Sequence, residues 1–225
     1  MTEQIAVEKK ILSENDRLAA EIRDALQQRR IPALNLVSSP GSGKTSLLEV
    51  TLKALARRFS IGLIAGDVQT ENDAQRLRAA GGAQVQAIVT NGACHLDARM
   101  VGRALAGMNL ERMDLLVIEN VGNLVCPSSY DLGEDMKIVL ISATEGDDKP
   151  LKYPAMFRRA AMMIVNKTDL LGFSDFSLER VQNNARSINP DLQILSLSCR
   201  TGSGVDAWIA WLTDLILQAR RPSAE

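Results

Sequence analysis

The residues Asn166-Lys167-Thr168-Asp169 follow a short apolar run at 161–165 and have the types that a guanine site needs. A carboxylate such as Asp169 accepts hydrogen bonds from the ring N–H and the exocyclic amine of guanine, whereas adenine offers neither donor on that edge. We expect Asn166 to tie this loop to a phosphate site and the aliphatic stem of Lys167 to lie along the base. The same residues also arise at strand ends by chance, so the interpretation depends on finding that phosphate site.

A phosphate-binding loop is indicated by Ser38-Ser39-Pro40-Gly41-Ser42-Gly43-Lys44-Thr45, between an apolar run at 33–37 and a helical pattern. Glycines let backbone N–H groups approach a phosphate chain, Lys44 would bind the terminal phosphates, and Thr45 would bind magnesium. Ser38 departs from the strict pattern, which has glycine at that position. The residues that we expect to contact the phosphates of GTP are Gly41, Ser42, Gly43, Lys44, Thr45 and Ser46.

Two carboxylates follow further apolar runs and predict a magnesium site beside this loop. Asp67 ends the run that begins at Ile61, and Glu119 ends 114–118. Both suit a hard cation that prefers oxygen ligands, either directly or through water. Gly122, shortly after Glu119, would donate its N–H to the γ-phosphate and act as a switch. Asp73 is a weaker candidate for positioning the attacking water, since a carboxylate in the first turn of a helix is also favoured by the helix dipole.

A further segment, Ser198-Cys199-Arg200, follows the last apolar stretch of the chain. Ligands bind at the carboxyl ends of strands in open parallel sheets. We therefore expect backbone N–H groups of this segment to bind the guanine carbonyl. The thiol of Cys199 would only pack.

The single histidine of the chain, His95, follows Cys94 directly, and Cys126 lies four residues beyond Gly122. Thiolate and imidazole form a ligand set that suits Zn(II), Ni(II) or Cu. Spacing alone leaves the alternative open, because free cysteines are commonly small buried hydrophobic residues and a lone histidine is commonly solvated. Three ligands would also leave the site incomplete, so that water or a second copy of the chain would have to complete it.

The secondary-structure elements that must position these residues are predicted to form one domain spanning residues 1–225. An amphipathic helix is predicted within residues 1–30, and a flexible tail at 220–225. Seven apolar stretches alternate with helical or loop segments, which predicts an α/β, three-layer P-loop NTPase fold with a mostly parallel sheet of about seven strands. The predicted strands are 33–37, 61–65, 85–89, 114–118, 136–142, 161–165 and 192–198.

Composition excludes several classes of partner. The 26 basic and 27 acidic residues give a net charge of −1, which predicts no binding to nucleic acid or to an anionic membrane. No apolar run approaches the roughly 20 residues needed to cross a bilayer, and the first ten residues lack the apolar core of a signal peptide. We expect a cytoplasmic protein whose three cysteines are free thiols or metal ligands rather than disulfides.

Taken together, these segments resemble the HypB family of hydrogenase maturation GTPases, in the signal-recognition-particle-like class of P-loop GTPases. The resemblance covers nearly the whole chain and includes Ser38, since family members commonly have this serine form of the loop. The segments that carry it are 38–45, 66–70, 91–96, 119–127, 145–150 and 166–169.

The resemblance implies GTP hydrolysis to GDP and a GTP-promoted homodimer. It also implies a nickel or zinc site at Cys94, His95 and Cys126. The expected partners are a nickel chaperone and the precursor of a hydrogenase large subunit. Some family members carry a histidine-rich stretch or a cysteine-rich amino terminus. This chain has one histidine and no cysteine before Cys94, so we expect no nickel storage.

Three alternatives remain open at this point. A P-loop small-molecule kinase would use the same phosphate loop, but Asn166 to Asp169 argues against it. The urease nickel-delivery GTPases have a Cys-Pro-His motif, whereas Cys126-Pro127 is followed here by Ser128. A nucleotide-regulated binding module would have no metal role. The segment 145–150 would serve as a dimer contact or as a second switch.

Overall fold

Strands and helices alternate along the chain. The computed structural model describes residues 2–82 and 84–221, with the side chains of the first helix described from Lys10 onward. The strands are β1 (Ala33–Ser38), β2 (Ile61–Asp67), β3 (Gln84–Val89), β4 (Leu115–Glu119), β5 (Met136–Ser142), β6 (Ala160–Asn166) and β7 (Gln193–Ser196). The helices are α1 (Thr2–Gln27), α2 (Lys44–Leu55), α3 (Asn72–Ala79), α4 (Ala98–Leu105), α5 (Lys149–Lys152), α6 (Pro154–Arg159), α7 (Leu178–Ile188) and α8 (Val205–Arg220). Short 3-10 turns cover Leu110–Arg112, Cys126–Ser128 and Thr168–Phe173.

Within the described residues, seven strands form one parallel sheet in the order β3-β2-β4-β1-β5-β6-β7. The predicted α/β class and strand number are confirmed. Several strands continue one or two residues past their apolar runs, because backbone pairing does not stop at the first polar side chain. The strand ends gained in this way are Ser38, Asp67, Glu119 and Asn166.

The central strand β1 shows why the sheet is covered on both faces. Leu34 and Leu36 pack with α2 and α8 on one face. Ala33 packs on the opposite face with α1 and α4. Successive side chains of a strand point to opposite faces, so an almost continuous apolar strand requires helices on both sides. The carboxyl ends of the strands then remain free to carry the polar residues of a site.

The amino-terminal helix ends at Gln27, within the range 1–30 that its amphipathic pattern predicts. Its buried positions are Asn15, Ala19, Ile22 and Leu26. Ile11, which the pattern places on the apolar face, is 54% exposed. Among the side chains described from Lys10 onward, full burial begins at Asn15 and Leu12 is half-buried. The side chain of Ile5 lies outside the described residues.

At the other end of the chain, α8 includes Arg220, whose guanidinium forms an ion pair with Asp114 at 2.5 Å. The rest of the tail predicted at 220–225 lies outside the described residues, apart from Arg221. No helix in the described part of the chain has the length and apolar character that crossing a membrane requires.

Candidate nucleotide and metal site

The phosphate loop connects β1 to α2, and two of its glycines have backbone conformations that side chains rarely adopt. Gly41 has φ 75° and Gly43 has φ 102°. A Cβ at Gly43 would also lie 2.4 Å from Nδ2 of Asn166. Glycine at these positions lets the loop turn tightly and aim backbone N–H groups at a ligand in front of the N-terminus of α2, as an anion site needs.

Lys44 begins α2 and is almost completely buried. Its Nζ donates to Oγ of Ser38 at 2.9 Å. Burial lowers the pKa of Lys44, and the nearby carboxylates, Glu119 foremost, oppose this shift. Lys44, which the sequence assigns to the terminal phosphates, therefore lies in the phosphate loop. Its ammonium group is held there by Ser38, the residue that departs from the strict pattern.

The carboxylate of Glu119 lies beside Thr45, whose Oγ1 donates to Glu119 Oε1 at 2.7 Å. Within the described residues, Oε2 of Glu119 is buried without a hydrogen-bond partner. Burial raises the pKa of Glu119 to about 7, against the opposing effects of Lys44 and Thr45. A buried carboxylate oxygen without a partner is costly, and a hydrated cation would satisfy it. Thr45 and Glu119 therefore fit a magnesium ion.

Asp67 lies at the same edge of the sheet and lines the same cavity as Lys44 and Glu119. Burial alone would raise its pKa, but the N–H groups of Gln69 and Thr70 donate to Oδ1 at 2.8 Å each. Together with Lys44 these donors hold the pKa of Asp67 below its ordinary value. Asp67 is thus kept as a carboxylate facing the cleft.

Asp73 and Gly122 also line this cavity. Asp73 lies in the first turn of α3 and forms an ion pair with Arg76 at 3.3 Å, so both explanations given for it from sequence remain compatible with its position. Gly122 lies directly against the phosphate loop, because a Cβ there would be 2.9 Å from Cα and N of Pro40. A side chain at Gly122 would displace the backbone of that loop.

The base end of the cleft is built from β6 and the turn after it. Asn166 donates from Nδ2 to the carbonyl oxygen of Ser42 at 2.9 Å, which ties this loop to the phosphate loop as expected. Lys167 has φ 60° and donates to the carbonyl oxygen of Gly41 at 2.7 Å. The carboxylate of Asp169 accepts from Oγ of Ser198 at 2.5 Å, and this contact orients it.

One cavity lies at the phosphate end of the cleft and another at the base end. A cavity of about 450 Å³ is lined by the phosphate loop and the carboxylates, and one of about 330 Å³ is lined by Asp169 and Arg200 among others. They share Gly43, Ser46 and Lys167. The two cavities are therefore adjacent, one beside the carboxylate cluster and the other beside the base loop, and we call them together the nucleotide groove.

The segment 198–200 lies where the sequence predicts it, but two of its three N–H groups already have acceptors. The N–H of Ser198 donates to the carbonyl oxygen of Ser203 at 2.8 Å. The N–H of Cys199 donates to Oδ1 of Asn166 at 3.2 Å. Arg200 therefore becomes the better candidate for the guanine carbonyl. Burial raises the pKa of the Cys199 thiol to about 11, and its side chain packs against the core.

The segment 145–150, whose role the sequence leaves open, contacts the phosphate loop through its side chains. Ser42 donates from Oγ to Oε1 of Glu145 at 2.5 Å. Glu145 forms an ion pair with Lys149 at 2.6 Å, and Nζ of Lys149 also donates to Oγ of Ser39. The hydroxyls of Ser39 and Ser42 thus both have partners in this segment. A dimer contact and a second switch stay untested.

The second cluster lies after β3 and β4. Sγ of Cys94 is 3.0 Å from Sγ of Cys126 and 3.8 Å from Nδ1 of His95. The ligand atoms of the three residues all lie within 4.8 Å of one another, with Cys94 exposed and the other two half-buried. Partial burial lowers the pKa of His95, opposed by Asp97, which favours the neutral imidazole that binds metals. These residues therefore fit a metal ion within one chain.

Side chains on both sides of Gly122 contact the loops that carry these residues. Asn123 donates from Nδ2 to the carbonyl oxygen of Cys94 at 3.1 Å. Asn120 accepts from the N–H of Leu96 at 3.2 Å. Tyr130 lies over the ring of His95, with the centroids 3.9 Å apart. The loop after β3 is thus held by residues on both sides of Gly122.

Several of these residues could not be identified from the sequence. Neither asparagine nor Tyr130 carries a motif that identifies it as a partner of a metal ligand. Glu145 and Lys149 have the i,i+4 spacing of a helical ion pair, which was a usable signal for their pairing but not for their contact with the phosphate loop.

Comparison with known proteins identifies the family to which this chain is similar. The model for "CobW/HypB/UreG, nucleotide-binding domain" matches residues 32–196. The hydrogenase maturation factor HypB of Azotobacter vinelandii is 52% identical over 92% of this chain and 68% of its own length. The crystal structure of HypB from Archaeoglobus fulgidus has a TM-score of 0.84 at 39% identity, covering 91% of this chain and 99% of that one.

A further solved structure, HypB from Helicobacter pylori in complex with nickel, has a TM-score of 0.85 at 38% identity and covers 94% of this chain and 99% of that one. These similarities confirm the predicted resemblance to this family. They also decide against the small-molecule kinase. The chain belongs to the HypB family of hydrogenase maturation factors.

Proposed function

We propose that this chain is a GTP-hydrolysing metallochaperone that assists the insertion of nickel into hydrogenase. GTP-dependent dimerisation and a Cys/His metal site coupled to the switch loop are parts of this proposal. The observation that carries it is the position of Cys126, which lies four residues after Gly122 and 3.0 Å from Cys94. A single short loop thus connects the triphosphate sensor to a metal ligand.

The groove favours GTP as the nucleotide. Asp169 would accept from the ring N–H and the exocyclic amine of guanine, and Arg200 would donate its backbone N–H to the carbonyl. Lys44 and the N–H groups around Gly43 would bind the phosphates. A site that uses buried hydrogen bonds in this way rejects the base that cannot make them. Competition between GTP and ATP for the wild-type protein tests this, and equal affinities would contradict the assignment.

For hydrolysis, Thr45, Asp67 and Glu119 would hold magnesium directly or through water. When bound, the ion neutralises charge on the phosphates and orients them. Asp73 would position the attacking water, and Lys44 would stabilise the charge that develops on the transferred phosphoryl group. Gly122 would donate its N–H to the γ-phosphate and release it after cleavage. Phosphate release measured with GTP, with and without magnesium, tests this assignment.

Nickel is the cargo in this proposal. The nickel complex of the Helicobacter pylori relative supports it, as does the thiolate and imidazole set of Cys94, His95 and Cys126. Zinc suits the same ligands. A fourth ligand from water or from a second copy would complete a four-coordinate site. Metal analysis of protein purified without an affinity tag would reveal whether any metal is held, and its absence would favour a nucleotide switch without a metal role.

The central test measures nickel affinity in two nucleotide states. Nickel is titrated into protein bound to GDP and into protein bound to a nonhydrolysable GTP analogue. If the loop from Gly122 to Pro127 moves with the γ-phosphate, the two affinities differ, and linkage requires nickel to change nucleotide affinity by the same factor. Equal nickel affinities would refute the coupling while leaving GTP hydrolysis possible.

Assembly and partners complete the proposal. We expect the GTP analogue, but not GDP, to shift the protein from monomer to homodimer in sedimentation experiments. A partner nickel chaperone would supply or receive the ion, and the precursor of a hydrogenase large subunit would be the final recipient. The chain would act in the cytoplasm. A sedimentation profile that does not change between the two nucleotides would contradict GTP-dependent dimerisation.

A further inference from the structure

The two peptide groups that flank His95 are each held by an asparagine of the loop that follows β4. Nδ2 of Asn123 donates at 3.1 Å to the carbonyl oxygen of Cys94, which belongs to the peptide group before His95. The N–H of Leu96, in the peptide group after His95, donates to Oδ1 of Asn120 at 3.2 Å. His95 is therefore the one residue between two anchored peptide groups.

The anchor on the carboxyl side of His95 lies in the core. Asn120 and Leu96 are 1% and 0% exposed. The side chain of Leu96 lies over β2 at Gly66, where a Cβ would be 2.8 Å from Cδ1 of Leu96, so the glycine leaves the room that the leucine fills. A buried hydrogen bond is costly to break, because its donor and acceptor would be left unpaired. The peptide group after His95 is therefore firmly held.

The anchor on the amino side also shapes the turn that leads to Cys126. Oδ1 of Asn123 accepts from the N–H of Val125 at 2.9 Å, while Nδ2 of the same side chain holds the carbonyl oxygen before His95. Peptide groups are planar, so only φ and ψ of His95 lie between the two anchored groups. The direction of its Cα–Cβ bond is thus determined by the two anchors together.

We propose that Asn123 is a positioning residue of the metal site, which fixes the direction of the His95 imidazole by holding the peptide group before it. The inference rests on the proposed function, in which Cys94, His95 and Cys126 bind nickel. Without this anchor, φ and ψ of His95 vary more widely and the imidazole spends less time beside the two thiols. Asn123 binds no metal itself, but it preorganises a ligand and so raises metal affinity.

The first test measures the Kd of nickel for untagged, nucleotide-free wild type, Asn123→Ala, His95→Ala and the double variant. We expect Asn123→Ala to raise Kd about tenfold, since residues that only orient metal ligands contribute about 10- to 100-fold. In the His95→Ala background the same substitution should change Kd by less than about twofold, because Asn123 acts through the imidazole. Equal effects in the two backgrounds would overturn the proposal, since Asn123 would then act through a cysteine.

Ser128→Ala is the matched control in the same loop. Oγ of Ser128 donates to the carbonyl oxygen of Val125 at 2.7 Å, so this variant loosens the turn around Cys126 without removing the bond from Asn123 to Cys94. We expect its Kd for nickel to stay within about twofold of the wild type. An increase as large as that in Asn123→Ala would show that stiffness of the turn sets the affinity, and it would contradict the proposal.

A second measurement, which needs neither nickel nor nucleotide, uses the single histidine of the untagged chain. The imidazole protons of His95 give unique NMR signals, and ring currents of Tyr130, whose ring centroid is 3.9 Å away, should shift them from random-coil positions. Asn123→Ala should move these signals toward random-coil positions, whereas Ser128→Ala should leave them unchanged. Wild-type positions in Asn123→Ala would overturn the proposal. If the wild type bound no nickel while the signals still moved in Asn123→Ala, the proposed function would fail and the positioning would stand.

Discussion

The nucleotide groove and the metal cluster differ in how firmly the fold holds them. The groove is built at strand ends and at the start of α2, and its central side chains Lys44, Thr45 and Glu119 are 8%, 6% and 3% exposed. The candidate metal ligands lie on loops after β3 and β4, and Cys94 is exposed. Sheet pairing fixes the first region, whereas the second depends on a few hydrogen bonds between loops. Because the loops have fewer fixed contacts than the strand ends, the proposed coupling would act by nucleotide binding in the groove moving the loops of the metal cluster.

The largest expected effect is that of a substitution in the nucleotide groove, which should change nucleotide binding and leave nickel binding unchanged. Lys44→Met should weaken GTP binding and hydrolysis by about 1,000-fold, since a preorganised charge at a phosphate site contributes at least as much as one oxyanion donor. Nickel affinity of the nucleotide-free protein should stay within about twofold, because Lys44 touches no metal ligand. Isothermal titration with GTP and then with nickel measures both. Loss of nickel binding would contradict the separation.

Cys126→Ala is the converse test, a substitution in the metal cluster that should change nickel binding and leave nucleotide binding unchanged. We expect nickel affinity to fall by at least about 100-fold, since even residues that only orient metal ligands contribute 10- to 100-fold. GDP affinity should remain near that of the wild type. Cys199→Ala is the matched control, because it removes a thiol that packs against the core away from the cluster. An equal loss of nickel affinity in both variants would contradict the assigned ligand.

The same contrast explains which parts of the structure could be predicted from the amino-acid sequence. An apolar run followed by a polar residue marks a strand end, so the amino-acid pattern alone assigns Asp67, Glu119 and Asn166 to one edge of the sheet. The cysteines could not be placed together in this way, because β2 lies between β3 and β4 in the sheet. Their proximity depends on two loops crossing this gap, and only the family resemblance indicated it.

Contacts between side chains were harder still to predict. The bonds from Lys44 to Ser38 and from Ser42 to Glu145 depend on side-chain directions and on the path of the loop. Hydrophobic periodicity carries no information on either. The apolar pattern of α1 failed at Ile11 for a related reason, since a pattern marks a face but not how far the neighbouring helix extends along it.

An intermediate effect is expected at the junction of the two regions. Gly122→Ala should lower GTP hydrolysis by roughly 10-fold, because the new Cβ must shift the Pro40 backbone by about half of the ~1 Å that costs about 100-fold. We also expect nickel affinity to lose its dependence on the nucleotide, since the sensor then no longer reaches the γ-phosphate.

Gly172→Ala is the matched control for this substitution. A Cβ at Gly172 would meet nothing within 4 Å, and its φ is not positive. Phosphate release and the nickel titrations in both nucleotide states should match the wild type in this variant. If Gly122→Ala kept the full difference in nickel affinity, the route through the short loop would be wrong.

The smallest expected effect concerns the aromatic ring that supports the histidine. Tyr130→Leu should lower nickel affinity by about threefold, in the range that an aromatic pair contributes beyond its buried area. Tyr130→Phe keeps a ring over His95 and should retain wild-type affinity. Nickel absorption spectra would show the same order, since a freed imidazole alters the ligand field while both thiolates remain. If the leucine and phenylalanine variants bound nickel equally, the loops alone would orient His95, and the metal site would be more rigid than its exposure indicates.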